Sequence, residues 1–117
     1  MTGATISVTV KGTLSAVTIS QVGANHPAGT AQTATGRYWT IAPTGSTYTV
    51  ALTLPNAINP PNQANVCYFD TASLDWVCDK TSTTANTVTL ANITNLEYDW
   101  VVGKPGGRLY LPMVVRN

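Results

Sequence analysis

Short runs of alternating apolar and polar residues recur along this chain, separated by Gly, Pro and Asn. In Thr5–Val10, Ile6, Val8 and Val10 alternate with hydroxyl residues, which predicts a strand with those three side chains on a core. A Gly12-Thr13 turn leads into a second strand over 14–22. Its apolar phase slips between Leu14/Ala16 and Val17/Ile19, so a bulge is expected near Ala16. Residues 23–36, G-A-N-H-P-A-G-T-A-Q-T-A-T-G, show no periodicity and read as a long polar loop, a type that is usually functional or mobile. A third strand over 37–42 puts Tyr38 and Trp39 on opposite faces. After the turn Pro43-Thr44-Gly45-Ser46, a fourth strand lines up Tyr48, Val50, Leu52 and Leu54. The Pro/Asn-rich connection 55–63 excludes helix and central strand.

Residues 65–80, N-V-C-Y-F-D-T-A-S-L-D-W-V-C-D-K, carry the clearest local signal. Two runs rich in β-branched and aromatic residues flank Thr71-Ala72-Ser73-Leu74, which is a hairpin pattern with a four-residue loop. Folding it about Ala72/Ser73 sets Cys67 opposite Cys78 and Phe69 opposite Trp76, both pairs on one face. A disulfide stapling the hairpin follows from that register. Residues 81–85 read as a turn, 87–91 as a strand with Val88 and Leu90 inward, and 92–95 as a corner. The next strand, 96–102, puts Leu96, Tyr98, Trp100 and Val102 on one face. A Gly/Pro hinge at 103–107 precedes a last strand over 108–116, where Pro112 limits pairing to one side.

About nine short strands, no helix and regular turn signals predict an all-β fold. The expected architecture is a single two-sheet antiparallel sandwich, immunoglobulin- or fibronectin-like, over residues 1–117, with a barrel as the alternative. Charged residues make up only 9% of the chain, and Thr, Ser, Asn and Gly replace them, which suits a sheet surface. Net charge is +1 and the six Lys/Arg are scattered, so the chain has no electrostatic footprint for nucleic acid. No run approaches the ~20 apolar residues of a membrane helix, so membrane insertion is not expected. The paired cysteines point to an oxidising, extracellular compartment. No signal peptide is visible at Met1-Thr2-Gly3-Ala4, so the chain reads as an excised domain or mature segment with an added Met.

The succession Gly36-Arg37-Tyr38-Trp39-Thr40-Ile41, Leu52-Thr53-Leu54-Pro55, Cys67…Trp76-Val77-Cys78 and Asp99-Trp100-Val101-Val102-Gly103 resembles a small β-sandwich module of large secreted and surface-exposed bacterial proteins, often placed near their C-termini. The likeness covers roughly residues 12–103, and the run 95–100 is one residue longer than the module's usual aromatic–acid–Trp segment. Residues 108–117 resemble the Tyr-Leu-Pro-aliphatic tails that close some secreted bacterial proteins. The resemblance implies a location and a fold; the module carries no catalytic motif.

Catalytic chemistry finds few parts. The only histidine, His26, lies in the polar loop without a G-x-S-x-G elbow, and is read as capping or packing that loop. Asp70 and Asp75 close the hairpin loop as turn residues, and the D-x-D-x-D spacing of a calcium loop is absent. With no C-x-x-C and a single histidine, no metal or cofactor is expected. Exposed aromatics are the candidates for stacking on a polysaccharide: Tyr38 or Trp39, one of which strand parity leaves facing out, and Tyr110, which is out of phase with Leu109 and Leu111; Trp76 and Trp100 are assigned to core. In the last strand Leu109, Leu111, Met113 and Val115 alternate with Tyr110, Pro112 and Val114. A strand apolar on both faces wants cover on both, in its own sheet or in a neighbour's.

The expected function is a non-catalytic extracellular structural or interaction module of a bacterial surface protein. It would self-assemble into a filament or surface layer by strand complementation through Leu109, Tyr110, Leu111, Met113, Val114 and Val115. Its partners would be further copies or neighbouring domains of a parent protein. The alternative is a carbohydrate-binding, adhesive module. By loop entropy the Cys67–Cys78 link contributes about 2–3 kcal/mol. Cys67→Ser is therefore expected to lower the melting temperature while keeping the fold; an unchanged melting temperature would show that the two thiols are not linked.

Overall fold

The computed structural model describes residues 3–28 and 36–104. These form nine strands: β1 Thr5–Val10, β2 Ala16–Val22, β3 Tyr38–Thr44, β4 Thr49–Pro55, β5 Asn65–Asp70, β6 Asp75–Asp79, β7 Ser82–Thr83, β8 Thr87–Ile93 and β9 Asp99–Gly103. Among the described residues the helical content is one 3-10 turn, Pro61–Gln63. A four-stranded sheet runs β1-β4-β8-β7 and a five-stranded sheet β2-β3-β9-β5-β6. Neighbouring strands pair antiparallel in both sheets. The sheets pack face to face, β8 against β5 and β4 against β9. The all-β sandwich and its hairpin disulfide are as the alternation predicts. The strand expected over 108–116 lies outside the described residues. The ninth strand is instead the two-residue β7, which pairs with β8 where a plain turn is expected.

Alternation decides what is buried. In β4, Val50, Leu52 and Leu54 are fully buried, and Trp39 and Ile41 of β3 meet them from the opposite sheet with Trp100 and Val102 of β9. Burial of these large side chains is the dominant stabilising term. Trp39 pairs with Trp100, and Trp100 with Tyr68. Two aromatic groups pin the chain before β9: the Leu96 N–H donates to the Tyr48 hydroxyl at 2.7 Å, and the Trp100 indole N–H to the Leu96 carbonyl at 3.0 Å. Both contacts are buried, where an unmet backbone group is costly. They hold Leu96 in the core but outside a strand, because the Asn95 side chain accepts from the Glu97 N–H at 2.9 Å and turns the chain there. The strand expected from residue 96 therefore begins at Asp99.

Two further expectations are corrected. Ile6 packs against the core, but Val8 is 49% and Val10 55% exposed. Val8 pairs with Val50 and shares its face, but Val10 pairs with Thr49, which faces the other way from Val50, so the alternation holds only as far as Val8. Among the described residues β1 is an edge strand, and the register shift between Val8 and Val10 turns Val10 to the outer face. The bulge expected near Ala16 is absent, since β2 pairs with β3 in unbroken register from Ala16 to Val22. The phase slip marks a turn instead: the Leu14 N–H donates to the Lys11 carbonyl at 2.9 Å, and Leu14 enters the core ahead of the strand.

That turn interlocks with the one at 45–47. The Thr13 hydroxyl accepts from the Ser46 and Thr47 N–H groups, both at 2.9 Å, and the Thr13 N–H donates to the Thr47 carbonyl at 2.8 Å. Gly45 has φ +128°, and a Cβ there would overlap the Thr13 carbonyl. Gly45→Ala is therefore expected to cost about 2 kcal/mol or more in chemical denaturation. Gly23→Ala, which meets open space, should stay within about 0.5 kcal/mol of the parent. Equal effects would remove the interlock from this account.

Candidate functional site

The five-stranded sheet is also covered on its outer face. Side chains opposite the core there include Tyr38 and Thr40 of β3, Asp99 and Val101 of β9, Cys67 and Phe69 of β5, and Trp76 and Cys78 of β6, as the registers require. Cys67 and Val101 are 0% and 1% exposed although they belong to no part of the intersheet core. Beside them, residues 23–28 fold back over the sheet. The His26 ring lies 4.7 Å from Tyr38 and 4.9 Å from Trp76, edge-on to both, and 5.6 Å from Phe69. Phe69 and Trp76 pack edge to face at 5.2 Å.

The His26 side chain is 8% exposed, and both ring nitrogens are engaged. The Ala28 N–H donates to Nδ1 at 2.9 Å, so the ring proton sits on Nε2, which meets the Asp99 carboxylate at 2.7 Å. The Trp76 indole N–H donates to the Ala28 carbonyl at 2.9 Å. One histidine thus ties the loop to β9 and, through Ala28, to the disulfide hairpin. Neither nitrogen is left to activate a nucleophile, so the geometry makes His26 an anchor, as its place before Pro27 suggests. Asp99 borders a cavity of about 230 Å³ that also includes Glu97, Thr40 and Thr71. Because Asp99 is held by His26, the two carboxylates are not equivalent. Among the described residues no group of three or more His, Cys, Asp or Glu side chains is placed to hold a metal ion.

The candidate residues from the sequence separate in space. Cys67 and Cys78 pair in register and are bonded, with Phe69 opposite Trp76. Asp70 and Asp75 act as turn residues, accepting from the Ala72 N–H at 3.0 Å and the Trp76 N–H at 2.8 Å. Trp39 is not a surface platform: it is 1% exposed, because its register partner Trp100 faces the core. Tyr38 is half-buried under the His26 edge. Trp76 lies on the outer face, half-buried, instead of in the main core. Tyr110 and the assembly residues Leu109–Val115 lie outside the described residues.

Two surfaces emerge that periodicity alone does not mark. The first is the outer edge of β1, unpaired among the described residues, with Val8 and Val10. The second is a groove of about 480 Å³ between β6 and β8, floored by Tyr68 and Tyr98. Those rings stack at 4.3 Å and 28°, with Trp100 behind them. Tyr68 shares the parity of Val66, which was the available signal; that it lines an open flank depends on the second sheet.

No family model, curated protein or solved structure matches this chain. Among the described residues no helix is long and apolar enough to cross a membrane.

The anchor has a direct consequence. His26→Ala removes the Asp99 and Ala28 contacts and the edge of three aromatic rings. It is expected to cost about 2 kcal/mol and to shift tryptophan fluorescence as Trp76 is uncovered. An unchanged spectrum and denaturation midpoint would mean that the loop is held by other contacts.

Proposed function

We propose that this chain is a non-catalytic extracellular structural module of a bacterial surface protein that assembles with further copies by strand addition. The observation that carries this reading is the outer edge of β1, which has no partner strand among the described residues and exposes Val8 and Val10. An unpaired strand edge is a template for another strand. The other edges fit less well. β7 has two residues, β6 carries Asp75 and Asp79, and β2 presents no exposed large aliphatic side chain. β1, T-I-S-V-T-V, has no charge to oppose an incoming strand.

The incoming strand is segment 108–116 of another copy. Its seven central residues, L-Y-L-P-M-V-V, are enough to span the six residues of β1 and are apolar on both faces. Paired at the edge, Leu109, Leu111, Met113 and Val115 would lie on the face of Val8, and Tyr110 and Val114 on that of Val10. Pro112, which lacks an N–H, would point its deficient side away from the sheet. The Cys67–Cys78 disulfide supports an oxidising compartment for such an assembly.

The test is the mass in solution across concentration, with electron microscopy of the same samples. Oligomers or fibres are expected, and both deletion of 108–117 and Val8→Lys/Val10→Lys should abolish them. The double substitution lies on an exposed strand and leaves the core intact. A monomer at every concentration, or assembly that survives the lysines, would overturn the proposal.

A further inference from the structure

The groove between β6 and β8 lies towards the flank away from β1, where the sheet edges β6 and β7 face each other. Its floor is aromatic, the stacked Tyr68 and Tyr98, and Val77 on its wall is 40% exposed. Its polar groups are largely unengaged. The Tyr68 hydroxyl, the Asn92 carboxamide and the Thr94 hydroxyl make no hydrogen bond among the described residues. The Asp79 carboxylate accepts one bond, at 2.7 Å from the Lys80 N–H, through Oδ1 alone. The Lys80 ammonium donates to the Asn62 carbonyl and retains further donors.

This combination restricts the ligand. Asp79 and Lys80 offset each other, so the groove has no net charge with which to select an ion. A purely apolar ligand would cover Tyr68, Asn92 and Thr94 without pairing them, which is costly. The remaining class is uncharged, dense in hydroxyls and apolar on its ring faces. We propose that this groove binds a short stretch of neutral polysaccharide. Sugar C–H faces lie against the Tyr68/Tyr98 pair, and sugar hydroxyls take the open valences of Asn92, Thr94 and Asp79. The volume falls within the range of small-molecule sites. The residues differ from Tyr38, Trp39 and Tyr110, the candidate ligand aromatics of the sequence.

Amide chemical shifts of the full chain, kept dilute enough to be monomeric, would be followed during titration with cellotetraose, laminaritetraose, mannotetraose and chitotetraose, with inorganic phosphate as the ionic control. At least one tetrasaccharide should shift the amides of Asn92, Thr94 and Tyr98 saturably, while Thr18 and Ser20 on β2 stay still. Tyr98→Ala should weaken binding by about tenfold or more. Asn92→Gly removes the carboxamide, keeps the φ of +60° accessible and should also weaken it. Silence with all four sugars, shifts elsewhere on the surface, an equal response to phosphate, or affinity unchanged in both variants would overturn the proposal.

Discussion

Strand β9 has to satisfy two cores at once. Trp100 and Val102 enter the space between the sheets, while Val101 and Asp99 belong to the outer face with the disulfide and the His26 cluster. A central strand buried on both sides reads as a continuous apolar run, which is what D-W-V-V-G shows. Most of the other structure adjusts to this strand. Tyr48 and Trp100 clamp Leu96 so that β9 enters at the right height. β3 and β5 flank it in register, and the 23–28 segment folds back to shield its outer side.

The disulfide therefore does more than close a hairpin. Cys67 pairs with Val101 as well as with Cys78, so the bond sits next to the central strand under an aromatic cover. The hairpin brings Phe69 and Trp76 together, and their rings form the pocket that receives His26. A loop without periodicity is thus given a defined place by a single buried ring whose hydrogen-bonding capacity is fully used.

The two flanks of the sandwich end differently. At one side β1 carries exposed aliphatic side chains on a neutral strand edge that is unpaired among the described residues. At the other, β6 and β8 leave aromatic faces among amides, hydroxyls and a balanced charge pair, which suits a polar ligand. Low overall charge leaves both surfaces without a strong electrostatic field.

What the sequence by itself determined is local. Alternation assigned the inner faces of β4 and β9, and the spacing about Ala72/Ser73 set Cys67 against Cys78 and Phe69 against Trp76, because strand parity and a four-residue loop leave one register. Parity states which face a side chain takes; it does not state whether another layer covers that face. The burial of Trp39 and the aromatic floor of the groove were therefore decided by how the two sheets pack, and the exposure of Val10 by a register shift against β4. Likewise His26 meets Asp99 across 73 positions, and Trp76 meets Ala28 across 48. Only the tertiary structure brings such residues together, because no local periodicity links a loop to the outer face of a sheet formed later in the chain.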